Sequence, residues 1–402
     1  MTVVASKPLL LVLASTFPRW PEDTEPAFVL ELTRRFTQRF EVHVLAPHAS
    51  GAAKREEMAG LTIHRFQYAP ERWQTLTYEG GILARLRQNR WRAALVPVFL
   101  VAEALAIRRL LKRHDFAAIH SHWIIPQTLA LRLGTLGLTH TPPTLCISHG
   151  GDLFGLQGRV MRELKRWALH RCSAITVVSQ AMVPEAKRLA PHMKPQVIPM
   201  GTCLSMQFTP DSDTAREPGM VLFVGRLVEK KGVKHLLEAA AQLLPQHPNL
   251  HLYVAGKGPD ETALKERARQ VDLAGHVTFL GGMPQARLPE LYRRASVTIV
   301  PSVVAEGGDQ EGFGLVIVEA MGCGCPVIVS DLPAIEDILS HEDMALRVPP
   351  GDVDALAKAL DRTLNDPLAA GQRAEKALVH VRRRFGWESI GERYLALLYP
   401  PR

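Results

Sequence analysis

The chain has 402 residues, 47% of them hydrophobic, enough to bury sizeable cores in a globular protein of two or three domains. Its formal charge of +8 is unevenly divided: residues 1–205 hold 26 Lys+Arg against 14 Asp+Glu and the remainder 22 against 26, so the first part is +12 and the second −4. A basic first half suits an anionic partner (a membrane surface, a phosphorylated lipid or nucleic acid), or is simply a well solvated face. The five cysteines are an odd set without zinc-ligand spacing, which argues against a disulfide framework and fits a reduced cytoplasmic protein. The longest apolar segment, Ala94 to Ile107, contains Pro97 and Glu103 and falls short of the ~20 residues of a spanning helix, so no transmembrane helix is expected.

In chain order, Pro8 to Ser15 reads as a buried first strand rather than a signal peptide, because no small-x-small cleavage pattern closes it. The loop Thr16 to Pro26 follows, with Asp23 or Thr24 as helix caps and Pro26 in the first turn. Phe28, Val29, Leu32 and Phe36 then keep helical spacing, and Glu41 to Ala46 completes a strand-helix-strand unit. Leu61 to Gln67 is a further strand. Beyond it Trp73, Tyr78 and Trp91 alternate with Arg72, Arg85, Arg87, Arg90 and Arg92 ahead of the apolar run from Ala94. This stretch reads equally as an amphipathic surface resting on anionic lipid and as a surface helix packed on its own domain; no nucleic-acid module accompanies it.

Phe116 to His120 ends in His120-Ser121-His122-Trp123, and Thr144 to Ser148 ends in His149-Gly150-Gly151-Asp152. His149 is the sharper candidate, since two glycines admit a ligand to the backbone and Asp152 lies in reach of the same turn. Three histidines without a reliable carboxylate ligand do not make a convincing metal site. Ala174 to Ser179 and Gln196 to Pro199 close the first domain at about residue 200, and the polar segment 201–218 reads as a linker whose Asp211-Ser212-Asp213 is turn chemistry rather than a metal-diphosphate triplet.

A second domain, 219–384, opens on the strand Met220 to Val224, which runs into Gly225-Arg226-Leu227-Val228-Glu229-Lys230-Lys231-Gly232 and a helix. A glycine turn, an arginine, a lysine and a helix start suit a diphosphate without metal. Leu250 to Ala255 ends at Gly256-Lys257-Gly258-Pro259, Val277 to Leu280 at Gly281-Gly282-Met283, and Val297 to Pro301 leads into Glu311-Gly312-Phe313-Gly314-Leu315-Val316-Ile317-Val318-Glu319. Two carboxylates seven residues apart straddle a loop-to-helix junction. Helix-start amides there suit a phosphate, Glu319 the paired hydroxyls of a ribose, and Glu311 the hydroxyls of a second group, as in a nucleotide that carries a sugar.

These stretches, in this order, resemble glycosyltransferase family 4. The resemblance covers nearly the whole chain, is strongest from 220 to 330, and extends to Phe385-Gly386-Trp387 through Leu398, which is similar to a last helix (385–402) crossing back to the first domain. It implies an α/β protein of the GT-B architecture, with two Rossmann-like domains of parallel sheet facing a cleft. It also implies a retaining hexosyltransferase that takes a nucleotide sugar as substrate, with no cofactor or metal. Its acceptor would be a lipid-linked or polysaccharide chain of cell-envelope or exopolysaccharide synthesis, and its place the inner face of the plasma membrane. Carried over residue by residue, Arg226 and Lys231 would hold the diphosphate, and Phe313, Gly314 and Leu315 would offer amides. Glu319 would take the ribose, Lys257 and Met283 would border the base, and Glu311 and His149 would contact the donor sugar. The chain departs from the family in its first loop, which has no glycine before Gly51, so Arg19 stands as the substitute contact for phosphate or acceptor; Gly201-Thr202-Cys203 departs too, where an aspartate is common. The alternatives are a non-catalytic nucleotide-sugar-binding subunit and an NAD-dependent oxidoreductase, the latter disfavoured because the first loop lacks Gly-x-Gly-x-x-Gly.

Overall fold

The computed structural model describes residues 7–398 apart from 22, 24, 26, 79–80 and 340–342, so the expected cap Thr24 and the first-turn Pro26 lie outside the described residues. Two compact units emerge: one takes the chain up to Pro199 together with the stretch from Trp387, the other takes Met200–Gly386.

The first unit is built on strands β1 (Leu9–Leu13), β2 (Glu41–Pro47), β3 (Arg55–Met58), β4 (Leu61–Phe66), β5 (Phe116–His122), β6 (Thr144–Ser148), β7 (Ala174–Val177) and β8 (Gln196–Val197). Their order in the sheet is β3-β4-β2-β1-β5-β6-β7-β8, parallel except for the antiparallel edge strand β3. The near-continuous apolar runs of β1 and β6 are what a parallel strand covered on both faces requires, and Leu10 to Leu13 are completely buried. β3 reads Arg-Glu-Glu-Met and carries no apolar signal; as a charged edge strand it also protects the sheet from edge-to-edge pairing. The helix Trp387–Leu398 belongs to this unit. Its Trp387 and Tyr394 are buried, Arg393 and Tyr394 donate to the carbonyls of Val197 and Ile198, and its chain meets the helix Phe28–Phe36.

The second unit holds β9 (Glu217–Val224), β10 (His251–Ala255), β11 (Val277–Gly281), β12 (Ala295–Val300), β13 (Val327–Ser330) and β14 (Leu346–Val348), all parallel in the order β11-β10-β9-β12-β13-β14. Segment 200–216 packs within this unit: Leu204 and Phe208 are buried and Arg293 donates to the carbonyl of Thr209 at 2.7 Å. The Asp211 triplet is a turn, its carboxylate accepting from the Asp213 amide and the Thr214 hydroxyl.

At the carboxyl edge of this sheet the loops are laced to one another. Gly225 N–H donates to Ala255 O, Leu227 N–H to Lys257 O, Gly256 N–H to Gly281 O and Val303 N–H to Lys230 O. The helix Val233–Leu243 starts from Gly232, whose φ of +66° is left-handed and whose missing Cβ would stand 1.9 Å from the carbonyl oxygen of Pro301. Gly232→Ala is therefore expected to cost on the order of 3 kcal/mol from strain and backbone displacement together. A urea unfolding curve of the variant beside the parent checks this, and an unchanged midpoint would show that the loop yields freely.

Candidate active site

In the second unit the residues expected to carry the chemistry gather past the ends of β9 and β12. Lys231 Nζ is ion-paired with Glu311, and both side chains are largely buried. Beside them Lys230 Nζ meets Asp309 Oδ1 at 2.9 Å and donates to Gln310 O at 3.2 Å. Burial by itself would push the Glu311 carboxyl up. The charges of Lys231 and then Lys230, with donors from Lys231 and the Phe313 amide, outweigh it and hold the group at about 2. Burial also lowers Lys230, against the pull of Glu311 and Asp309, while Arg226 nearby adds a further positive charge. Three cations thus face two carboxylates.

Glu311 opens the turn into the helix Leu315–Gly322. Its Oε1 accepts from the Gly312 amide at 3.2 Å, and the Phe313 ring is buried against Phe385. Gly314 caps the helix at φ +86°, and the Ile317 amide donates to its carbonyl at 2.9 Å, which leaves the amides of Leu315 and Val316 without partners inside the helix. Of the three amides expected at a phosphate, that of Phe313 lies close enough to Glu311 to help hold its carboxyl low. Two turns along, Glu319 is buried, and its oxygens accept from Gln285 Nε2 at 3.0 Å and the Tyr292 hydroxyl at 3.2 Å. Burial raises its carboxyl to about 7, and those two donors only partly offset the rise. Lys257 is exposed and Met283 half-buried, on neighbouring loops past β10 and β11.

In the first unit, His149 lies two residues past the register partner of His122, because His122 pairs with Ile147 across β5 and β6. The two imidazoles lie edge to edge, their centroids 5.2 Å apart with 3° between their planes, and His122 Nδ1 is 3.0 Å from His149 Nε2. His120 meets His122 edge-on at 4.5 Å. Burial holds His120 and His149 at about 3 and His122 well below its usual range, so the trio is neutral. Asp152 has both oxygens engaged: Oδ2 accepts from the Ile124 amide at 2.7 Å, and Oδ1 from the Ser148 hydroxyl at 2.8 Å and the His149 amide at 3.2 Å. It fastens the turn that carries His149. The buried Lys165, not singled out from sequence, completes that turn by donating to Leu153 O and Gly155 O.

The first loop differs from its expected form. Arg19 is clamped by Asp23 through Nε at 2.8 Å and Nη2 at 2.7 Å and lies over the rings of Trp20 and Tyr78. Its guanidinium spends its strongest donors inside the loop. Arg65, buried and paired with Glu56, holds the same loop through Pro18 O at 2.7 Å. The clue to Arg19 is the carboxylate four residues on; nothing local announces Arg65.

Among solved structures, a sucrose-phosphate synthase from Thermosynechococcus elongatus superposes with a TM-score of 0.77 over 97% of this chain and 98% of its own, at 23% identity, a likeness of fold. Two family models match, one described as glycosyl transferases group 1 over residues 207–378 and one as glycosyltransferase family 4 over 27–205. A phosphatidyl-myo-inositol mannosyltransferase of Mycolicibacterium smegmatis is 39% identical over 44% of the chain, a match that spans 43% of that protein's length. A GDP-mannose-dependent monoacylated alpha-(1-6)-phosphatidylinositol monomannoside mannosyltransferase of Corynebacterium glutamicum is 26% identical over 77% of the chain and 83% of its own length.

Because its carboxyl is raised, Glu319 stabilises the folded protein below pH 4.5 relative to higher pH, and that contribution is lost as pH climbs through about 7. Relative to Glu319→Gln, the parent should lose on the order of 3 kcal/mol between pH 4.5 and pH 8. Denaturant titrations of both proteins across this range measure the difference; parallel pH profiles would contradict the buried, proton-holding carboxyl.

Proposed function

Since the chain belongs to glycosyltransferase family 4 and has the two parallel-sheet α/β units of a GT-B protein, we propose that it is a retaining, metal-independent hexosyltransferase acting from a nucleotide-sugar donor on a lipid-linked or polysaccharide acceptor. The observation that carries this reading is the Lys231–Glu311 pair, which holds a cation suited to a leaving diphosphate beside a carboxylate suited to sugar hydroxyls. A diphosphate would give Lys231 a second anionic partner beside Glu311, with Arg226 as a further cation close to Lys230. Arg226, Lys231 and the first-turn amides at Gly314 and Leu315 hold the phosphates. Glu319 accepts from the ribose hydroxyls and Glu311 from those of the sugar. Lys257 and Met283 border the base, and in the first unit His149 serves as a substrate contact.

In the reaction, the bond from the anomeric carbon to the phosphate oxygen breaks with its electron pair staying on the diphosphate. The acceptor oxygen forms the new bond on the same face, and its proton passes to the departing phosphate. Neither glutamate serves as nucleophile; the protein's part is to stabilise the developing charge and hold the groups in line.

The acceptor side of the proposal rests on the helix Leu95–Arg113. Its inward face buries Phe99, Ile107 and Leu110, yet Val98, Val101 and Leu105 at helical spacing are about half exposed, and Trp91 is 86% exposed just before the helix. Arg90, Arg109 and Lys112 lie exposed around this stripe, whereas Arg85 and Arg92 donate to backbone carbonyls of their own domain. None of the helices among the described residues is long and apolar enough to cross a membrane. An apolar stripe edged by cations suits the surface of an anionic bilayer, with the protein held peripherally on its cytoplasmic face.

A panel of UDP-, GDP- and ADP-sugars should raise the melting temperature with one base only. With that donor, Arg226→Ala and Lys231→Ala should each lower kcat/KM by about 100-fold or more while the fold persists by circular dichroism. Full transfer by both variants would overturn the site. Val101→Asp with Leu105→Asp should cut co-sedimentation with phosphatidylglycerol vesicles by about tenfold or more. Equal binding of parent and variant, or no binding by the parent, would remove the bilayer from the proposal.

A further inference from the structure

We propose that His122 is a positioning residue that fixes the tautomer of His149, so that His149 offers an Nδ1–H donor to a substrate oxygen at the carboxyl end of β6. The inference rests on the reading of His149 as a substrate contact and adds to it a named proton and the residue that places it.

The geometry leaves two arrangements. One proton lies between His122 Nδ1 and His149 Nε2, 3.0 Å apart, because both rings are neutral and one nitrogen of the pair must donate. If His122 Nδ1 carries it, His149 Nε2 accepts and the proton of His149 resides on Nδ1, while His122 Nε2 is a bare lone pair. If His149 Nε2 carries it, His122 must hold its own proton on Nε2. That atom is buried and has no hydrogen-bond partner among the described residues. The second arrangement strands a buried N–H; orphaned N–H groups are rarer in native proteins than under-used acceptors, so the first is favoured. His122 is completely buried, with His120 edge-on at 4.5 Å and His149 beside it at 5.2 Å, so the ring cannot swing out to relieve it. His149 Nδ1 has no protein partner among the described residues and is the nitrogen left for a ligand. Free histidine in water prefers the Nε2–H form, so an Nδ1–H form at this position needs a partner that supplies the donor.

Nitrogen-15 NMR of histidine-labelled protein, with the His149 signals assigned by their loss in His149→Gln, reads the tautomer directly. The parent should show a protonated Nδ1 and a bare Nε2 on His149. His122→Phe keeps a flat ring but no donor; it should move His149 to the Nε2–H form and lower kcat by about tenfold with donor KM within about twofold. His122→Asn, whose amide can donate from nearly the position of Nδ1, should keep the Nδ1–H form and most of the parent's kcat. An Nε2–H signal from His149 in the parent overturns the proposal, as does a His122→Phe protein with tautomer and kcat unchanged. If no nucleotide sugar is turned over, the transferase reading fails while the NMR signals still decide the tautomer, so the two failures are told apart.

Discussion

Two lysines and two carboxylates, Lys230 and Lys231 against Asp309 and Glu311, tie the loop after β9 to the loop before the helix Leu315–Gly322, and the candidate donor site depends on that closure. These charges are taken almost wholly out of water, where each ion loses several kcal/mol of hydration and the pair recovers it only with close geometry and further donors. The backbone supplies the further hydrogen bonds: the Gly312 amide donates to Glu311, and the Gln310 carbonyl accepts from Lys230. Removing any one of the four leaves an uncompensated buried charge, a loss of roughly 3–5 kcal/mol. By contrast, Arg267 with Glu238 and Asp272 forms a well-made network on the surface, where solvent screening leaves such contacts worth far less.

At the ends of β5 and β6 the first unit orders its loops by other means. Where the second unit buries charges in pairs, the first buries histidines that have given up theirs, and rings packed at 4.5 to 5.2 Å could not all be protonated. The one carboxylate among them, Asp152, is raised by burial against the donors that surround it and spends its oxygens on the turn. Proton positions and hydrogen bonds therefore organise the ends of β5 and β6, while the loop after β1 is held by the Arg19–Asp23 and Arg65–Glu56 pairs.

The buried parallel strands were legible because β1, β6, β9 and β12 are apolar runs bounded by turn residues, and the glycine-rich loops at their ends marked the candidate site. Elements set by tertiary contact were not. β3 is charged because it is an edge, and β14 has three residues, too few for a period. The segment 201–218 reads as linker from its polarity, yet Leu204 and Phe208 anchor it and Glu217 already begins β9; two apolar residues suffice when the surface they enter is preformed. Lys231 and Glu311 were each recognisable from their motifs, but their contact spans 80 residues, and that of Lys230 with Asp309 spans 79. Arg19 illustrates the converse error. An arginine in a ligand loop suggests an anion to be bound, and here the anion is Asp23, four residues away in the same chain.

The helix Trp387–Leu398 has a consequence in time as well as space. It buries Trp387 and Tyr394 in a unit whose other elements end at Pro199, with the whole of Met200–Gly386 intervening. On a ribosome the second unit's sheet is complete before the first unit has its final helix. The first unit must wait with the apolar surface of Phe28–Phe36 uncovered until the helix Trp387–Leu398 emerges. A nascent chain arrested near residue 386 would therefore contain one finished unit and one unfinished, and the unfinished one would be the older.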